Sequence, residues 1–237
     1  MMKKTGHSSL FTGFSQQGLD FLDQIKENNN KVWFENNRHI WEKTILKPNV
    51  AYVEEMGEHL IALAPFIKAL PKVSGSLFRI YKDTRFSHDK TPLKTKIGIL
   101  FWQGNSHRMQ SASFYMHYTS SEVFVATGIR SFKPPLLKKY REYIKNEKNA
   151  KALHNILEKL HHKGIKTIEP HFKRLPQGFK EENPYAYLSL FNSMYAYTTF
   201  KPNKTFLSSK IINKNFKFYE ETLELFEWLY EMNNSNK

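Results

Sequence analysis

The 237-residue chain carries 36 Lys and Arg against 22 Asp and Glu, a formal charge of +14, and no cysteine. The missing cysteine excludes disulfides, thiolate zinc sites, iron–sulfur clusters and cysteine nucleophiles together. An apolar fraction of 40% with 19 Phe and 12 Tyr excludes a disordered chain and implies a core built largely on rings.

Taken in order, residues 1–14 read as a flexible arm. Lys3 and Lys4 are followed by no apolar segment of the secretory kind. Ser15 then has the place of an N-cap, with Phe14 and Leu19 spaced as a hydrophobic staple. Leu19, Leu22 and Ile25 share one face of a helix that stops at Asn28-Asn29-Asn30. Trp33, Phe34, Trp41 and Ile45 anchor a second helix. Pro48 opens a third, with Val53, Gly57 and Leu60 on one face, and Pro65 and Pro71 bracket its exit.

The middle of the chain changes period. Leu77–Tyr81, Lys96–Gln103, Ser111–Thr119 and Glu122–Ile129 are short and rich in β-formers, with turn residues between them. They predict an antiparallel meander of about four strands, flanked by N-terminal and C-terminal helices: an α+β fold. Pro134-Pro135 opens a helix to about Lys145. A further helix spans Ala150–His162, with Gly164 as its closing residue. Residues 165–183 read as loop, Pro184 begins a short helix, and one last helix runs from Thr205 or Phe216 to Tyr230. Residues 15–232 are expected to form a single α+β domain and 233–237 a frayed tail. No run approaches the ~20 apolar residues that cross a bilayer, so a cytoplasmic protein without a membrane partner is expected.

The charge is unevenly spread. Residues 79–108 hold seven Lys/Arg and two Asp, a net of +5, and residues 130–151 hold eight and two, a net of +6. Residues 218–231 hold five Glu and no Lys or Arg. Lysine-rich solvated faces account for such an excess. Convergence of the two basic segments would instead make a cleft for a phosphate-bearing ligand or nucleic acid.

Searches for chemistry by motif fail. No glycine pattern cradles a phosphate, no nucleophile elbow occurs, and His154, His161 and His162 lack carboxylates at ligand spacing. These motifs indicate no metal site and leave any cofactor unknown. One connection between two expected strands stands apart, Arg79 to Lys94, because loops on a rigid scaffold commonly carry sites. Arg79 and Arg85 offer planar forks for phosphate or carboxylate, and Asp83 or Asp89 could orient them or hold a metal. Thr84 and Ser87 add neutral donors. The competing account is a closed network, in which Arg79 and Arg85 pair with Asp83 and Asp89 and merely pin the loop. Tyr115 with His117, Trp33 with Glu35 and Arg38, and Lys173 with Arg174 are weaker candidates, each explained as readily by packing or solvation.

The stretch Ser76–Lys94, SLFRIYKDTRFSHDKTPLK, closely resembles the hallmark of a family known as domain of unknown function 2461. The resemblance extends to Phe11–Leu22, Asn29–Phe34, the Pro134–Ile144 helix start and Phe172–Pro184. Arg79, Asp83, Arg85, Phe86, Ser87, Asp89, Lys90, Pro92 and Lys94 match that pattern. The chain departs from it at Lys82, where arginine is usual, and at Leu93, where an aromatic is usual. The resemblance implies no established activity.

Three readings remain open. Arg79, Asp83, Arg85, Ser87, Asp89, Lys90 and Lys94 form a ligand site for a phosphorylated small molecule or nucleic acid. Alternatively, Asp83 or Asp89 holds a divalent metal for phosphoryl transfer or hydrolysis, with the arginines as anion clamps. In the third reading the loop is a folding element of a structural or interaction domain.

Overall fold

Helix α1 (Gln16–Glu27) begins where the sequence places it: the Ser15 side chain accepts from the Gly18 backbone N–H at 3.0 Å. The computed structural model describes residues 10–235. Of the expected arm, residues 1–9 lie outside the described residues, while Phe11 and Phe14 are buried. Helix α2 (Lys31–Asn36) is capped by the Asn30 side chain, and α3 (Arg38–Trp41) follows directly. A π-helical turn, Glu42–Leu46, leads from α3 into α4 (Lys47–Leu60). Helix α1 passes that turn so closely that a Cβ on Gly18 would stand 2.6 Å from the Thr44 carbonyl oxygen.

Strands β1 (Ile97–Trp102), β2 (Ser113–Tyr118) and β3 (Val123–Ile129) make the expected meander. They are joined by β4 (Lys166–Thr167) and β5 (Met194–Phe200) in an antiparallel five-stranded sheet of order β1-β2-β3-β5-β4. The last two pair Lys166 with Tyr197 and Thr167 with Ala196. Helices α5 (Pro134–Lys145) and α6 (Glu147–His162) lie between β3 and β4 in the chain, and α7 (Lys210–Glu221) and α8 (Leu223–Asn234) close it. The fold is α+β with helices at both ends of the chain.

Three expectations are corrected. Leu77–Tyr81 is not a strand. It bridges β1 once, at Leu77 and Ile99, and then changes partner to bridge Leu93 at Tyr81, so neither pairing grows into a ladder. In its place the sheet gains β5, whose buried Met194 and Ala196 alternate with half-buried tyrosines. Tyr195, Tyr197, Thr198, Thr199 and Phe200 are strand formers; what hid the strand is that its partners, β3 and β4, lie far from it in the chain. The single last helix is two, and Thr222 lies between them. Its hydroxyl turns back to the Phe218 carbonyl at 2.8 Å and meets Thr127 Oγ1 at 2.6 Å. The expected tail is partly helical, since α8 continues to Asn234.

The chain packs as two compact units. The first takes residues up to Phe101 with Met116–Phe124 and Thr199–Lys217. The second takes Trp102–Tyr115, Val125–Thr198 and the residues from Phe218 on. In the first, Phe14 stacks on Phe206 at 4.6 Å and meets Tyr52 and Tyr118 at 5.3 and 5.0 Å. In the second, Phe114 stacks on Phe226 at 4.3 Å, and Trp228 packs edge-on to Tyr140 and Tyr143. Gly128 of β3 is required in that unit: its φ is +140°, and a Cβ there would lie 2.2 Å from the Met194 carbonyl oxygen.

Candidate functional site

The hallmark stretch folds as an irregular hairpin within the first unit. Its base is pinned by the Tyr81–Leu93 bridge, by Lys82 N–H to the Pro92 carbonyl at 2.8 Å, and by Lys94 N–H to the Ile80 carbonyl at 2.9 Å. Leu93 and Ile80 are buried and anchor it. The Asn29 side chain holds the second arm as a strand neighbour would. Its amide donates to the Leu93 carbonyl at 3.1 Å, and its oxygen accepts from the Leu93 N–H at 2.8 Å. The Asn-rich stretch thus has two uses: Asn29 clamps the hairpin and Asn30 caps α2.

A second clamp comes from α2 and α3. Tyr81 donates its hydroxyl to Glu35 Oε1 at 2.6 Å, and Arg38 grips the same carboxylate through Nε and Nη2 at 2.8 and 2.7 Å. The Arg38 hydrogen bonds, then that of Tyr81, lower the Glu35 carboxyl to about 2. Phe34 packs edge-on to Tyr81 and carries the Arg38 guanidinium over its ring. Glu35 and Arg38 were weak candidates in the sequence; their role is to hold Tyr81. The sequence marks Asn29 as a helix stop and Tyr81 as a strand end, and neither residue type signals a long-range clamp.

Beyond the base, the charges settle into local pairs. Arg85 donates to Asp83 through Nε at 2.9 Å and Nη2 at 2.8 Å. Those bonds hold the Asp83 carboxyl at about 2, with the Arg79 charge as the smallest contribution. Asp89 pairs with Lys82 at 2.7 Å, not with an arginine, and accepts from the Thr91 N–H and hydroxyl; together these push its carboxyl far down. Lys90 Nζ donates to the Thr84 carbonyl and Lys94 Nζ to the Arg79 carbonyl. The Ser87 N–H closes a turn onto Thr84. Both carboxylates are therefore engaged, but by residues two and seven positions away in the chain and at the surface. The Arg85 side chain is 76% exposed.

At the tip stands Phe86, 96% exposed, with the Arg85 guanidinium carbon 5.8 Å from its ring centre. Single exposed apolar residues are common on protein surfaces, and what sets this one apart is the charge around it. Here residues 79–96 supply six Lys/Arg against two Asp. The other basic segment, 130–151, belongs to the second unit. His154 meets the Tyr187 hydroxyl at 2.9 Å and His161 the Thr167 hydroxyl at 2.7 Å. Among the described residues, no group of three or more His, Asp or Glu could hold a metal ion, and no helix is long and apolar enough to cross a membrane.

No curated protein matches the chain. One family model does, that of the "Conserved hypothetical protein (DUF2461)", over residues 17–228. The match takes in nearly all of α1, the hairpin with both its clamps, and the first half of α8, and the chain belongs to that family.

Proposed function

We propose that the protein binds a phosphate-bearing ligand through the tip of the 79–94 hairpin, with single-stranded nucleic acid as the ligand that uses all of it. The observation that carries this reading is the Phe86 ring, exposed beside Arg85 at the end of a rigidly clamped base. An exposed ring contributes nothing to a core and is a stacking platform for a base. The surrounding excess of positive charge suits the backbone of the same strand. Arg79, Lys90 and Lys94 would bring further cations to it, and Ser87 a hydroxyl. Asp83 presets the Arg85 fork, so less side-chain freedom is lost on contact with a phosphate. The metal-assisted alternative has no comparable support, because Asp83 and Asp89 are each committed to a cation of their own.

The test is a fluorescence-anisotropy titration with a labelled single-stranded oligonucleotide at several salt concentrations. Phe86→Ala is expected to weaken binding by roughly fivefold to 150-fold, the range of one lost base stack. Arg85→Ala is expected to flatten the dependence of log affinity on log salt by about 0.7, one single-strand phosphate. Wild-type affinity in Phe86→Ala, or no binding by the unmodified protein at low salt, overturns the reading.

A further inference from the structure

The second unit contains a groove that owes nothing to the hairpin. It has a volume of about 400 Å³ and runs along one face of α5. That helix has two working faces. Leu136, Tyr140 and Ile144 are buried, while Leu137, Lys138, Arg141 and Lys145 line the groove. The facing wall is the loop around Pro176 and Phe179, and buried Phe132 contributes apolar surface. The two walls come from Pro134–Ile144 and Phe172–Pro184, stretches about thirty residues apart that share in the family resemblance and take no part in the hairpin.

The cations here are set in place. Arg141 donates through Nε to the Ser189 carbonyl at 3.3 Å, and its guanidinium lies over the Phe172 ring, 4.9 Å from the centroid. One edge of the fork is thus fixed, and a guanidinium has other N–H groups to offer. Lys145 is held by Glu142 at 2.8 Å. The loop backbone passes it at Gly178, whose φ of +89° suits glycine and where a Cβ would lie 3.5 Å from Lys145 Cε. Three cations against one carboxylate leave the groove positive, and apart from the Gln177 amide the rest of the lining is apolar. A site of this size takes one small molecule. Its composition selects a ligand with one anionic group and an apolar body, rather than a polyphosphate.

We infer that this groove binds an organic anion with a flat apolar body, such as an aromatic carboxylate, sulfonate or phosphate monoester. The ring lies against Leu137, Phe132 and Phe179, and the anion meets Arg141 with Lys138 beside it. The assignment stands independently of the hairpin reading.

The probe is 8-anilinonaphthalene-1-sulfonate, followed by fluorescence, with uncharged N-phenyl-1-naphthylamine as its neutral counterpart. Saturable binding of one sulfonate per chain is expected, with the neutral dye at least about tenfold weaker, as loss of a charge-assisted hydrogen bond requires. Arg141→Met keeps a straight stem over Phe172 and removes the charge; it should weaken the sulfonate at least about tenfold. Lys138→Glu reverses an exposed charge on the same wall, should leave melting unchanged and should also weaken binding severalfold. Phe66→Ser, at an exposed ring of the first unit, should leave the affinity as it was. Equal affinity for both dyes overturns the assignment, as does wild-type sulfonate binding in Lys138→Glu, or a loss in Phe66→Ser matching that in Arg141→Met.

Discussion

Two regions of the first unit spend polar groups in opposite ways. In its core, the polar groups are neutral, buried and long-range. Asn49 Nδ2 donates to the Tyr118 hydroxyl at 2.7 Å, and Asn215 Nδ2 to the Tyr52 hydroxyl at 2.8 Å, across gaps of 69 and 163 residues. In the hairpin tip, the polar groups are charged, exposed and local. A buried neutral hydrogen bond resists loss because its partner is left without water. A surface ion pair is solvated with or without its mate and contributes little. On the proposed reading, the hallmark ion pairs add little to folding and their charges serve contact with something outside the chain.

The contrast breaks most visibly at Tyr118. Burial raises its phenol well above the usual range, so it stays neutral at any ordinary pH and serves as a hydrogen-bond partner inside the aromatic cluster. Tyr118→Phe keeps the ring contacts with Phe14 and Phe206 but strips an acceptor from the buried Asn49 amide. We expect a loss of about 1–3 kcal/mol, hence a melting temperature lower by roughly 2–12 °C for a chain of this size. Arg85→Ala should leave the melting temperature where it is. An Arg85→Ala protein that melts as far down as Tyr118→Phe would make the hairpin charges a folding device, and the distinction between the regions would fail.

The same contrast governs what could be read in the sequence. Ser15 and Gly164 mark helix ends through bonds to near neighbours, and Pro48 through its fixed φ; such signals are legible because cause and effect lie within a few residues. β1, β2 and β3 were legible from their richness in β-formers and the turns between them. β5 was not, because its pairing is supplied by strands distant in the chain. At the hairpin, the density of charge singles out Arg79–Lys94, and the Asp83–Arg85 pair follows from their spacing. The exchange of partners at Asp89, taken by Lys82 in place of an arginine, depends on how the two arms align. That alignment is set by Asn29 on Leu93 and by Glu35 on Tyr81, and both clamping residues lie far from the hairpin in the chain. Exposure was the most informative property of the tip. It was also illegible, since a phenylalanine in a sequence carries no sign that it will stand in solvent.

The smallest effect is a titration, and it sharpens the comparison at a single carboxyl. Asp83 has a folded-state value near 2, below the ordinary value of about 3.9, because Arg85 bonds to its charged form. A depressed carboxyl contributes stability above its unfolded value and loses that contribution as pH falls through its folded value. The window for Asp83 is therefore from about pH 4 down to about pH 2, and nothing should change between pH 5 and 8. Because the pair is exposed, the consequence for global unfolding is slight, and the proper readout is local. The ¹³C carboxyl shift of Asp83, followed by NMR, should titrate with a midpoint near 2 in the unmodified protein. In Arg85→Ala the midpoint should return toward about 3.9, with the remaining downward pull coming from the backbone N–H at position 85 and then from the Arg79 charge. A midpoint near 2 that survives Arg85→Ala would mean that this N–H or another cation, and not the Arg85 side chain, holds Asp83. The Arg85 fork would then not be the group preset for a phosphate.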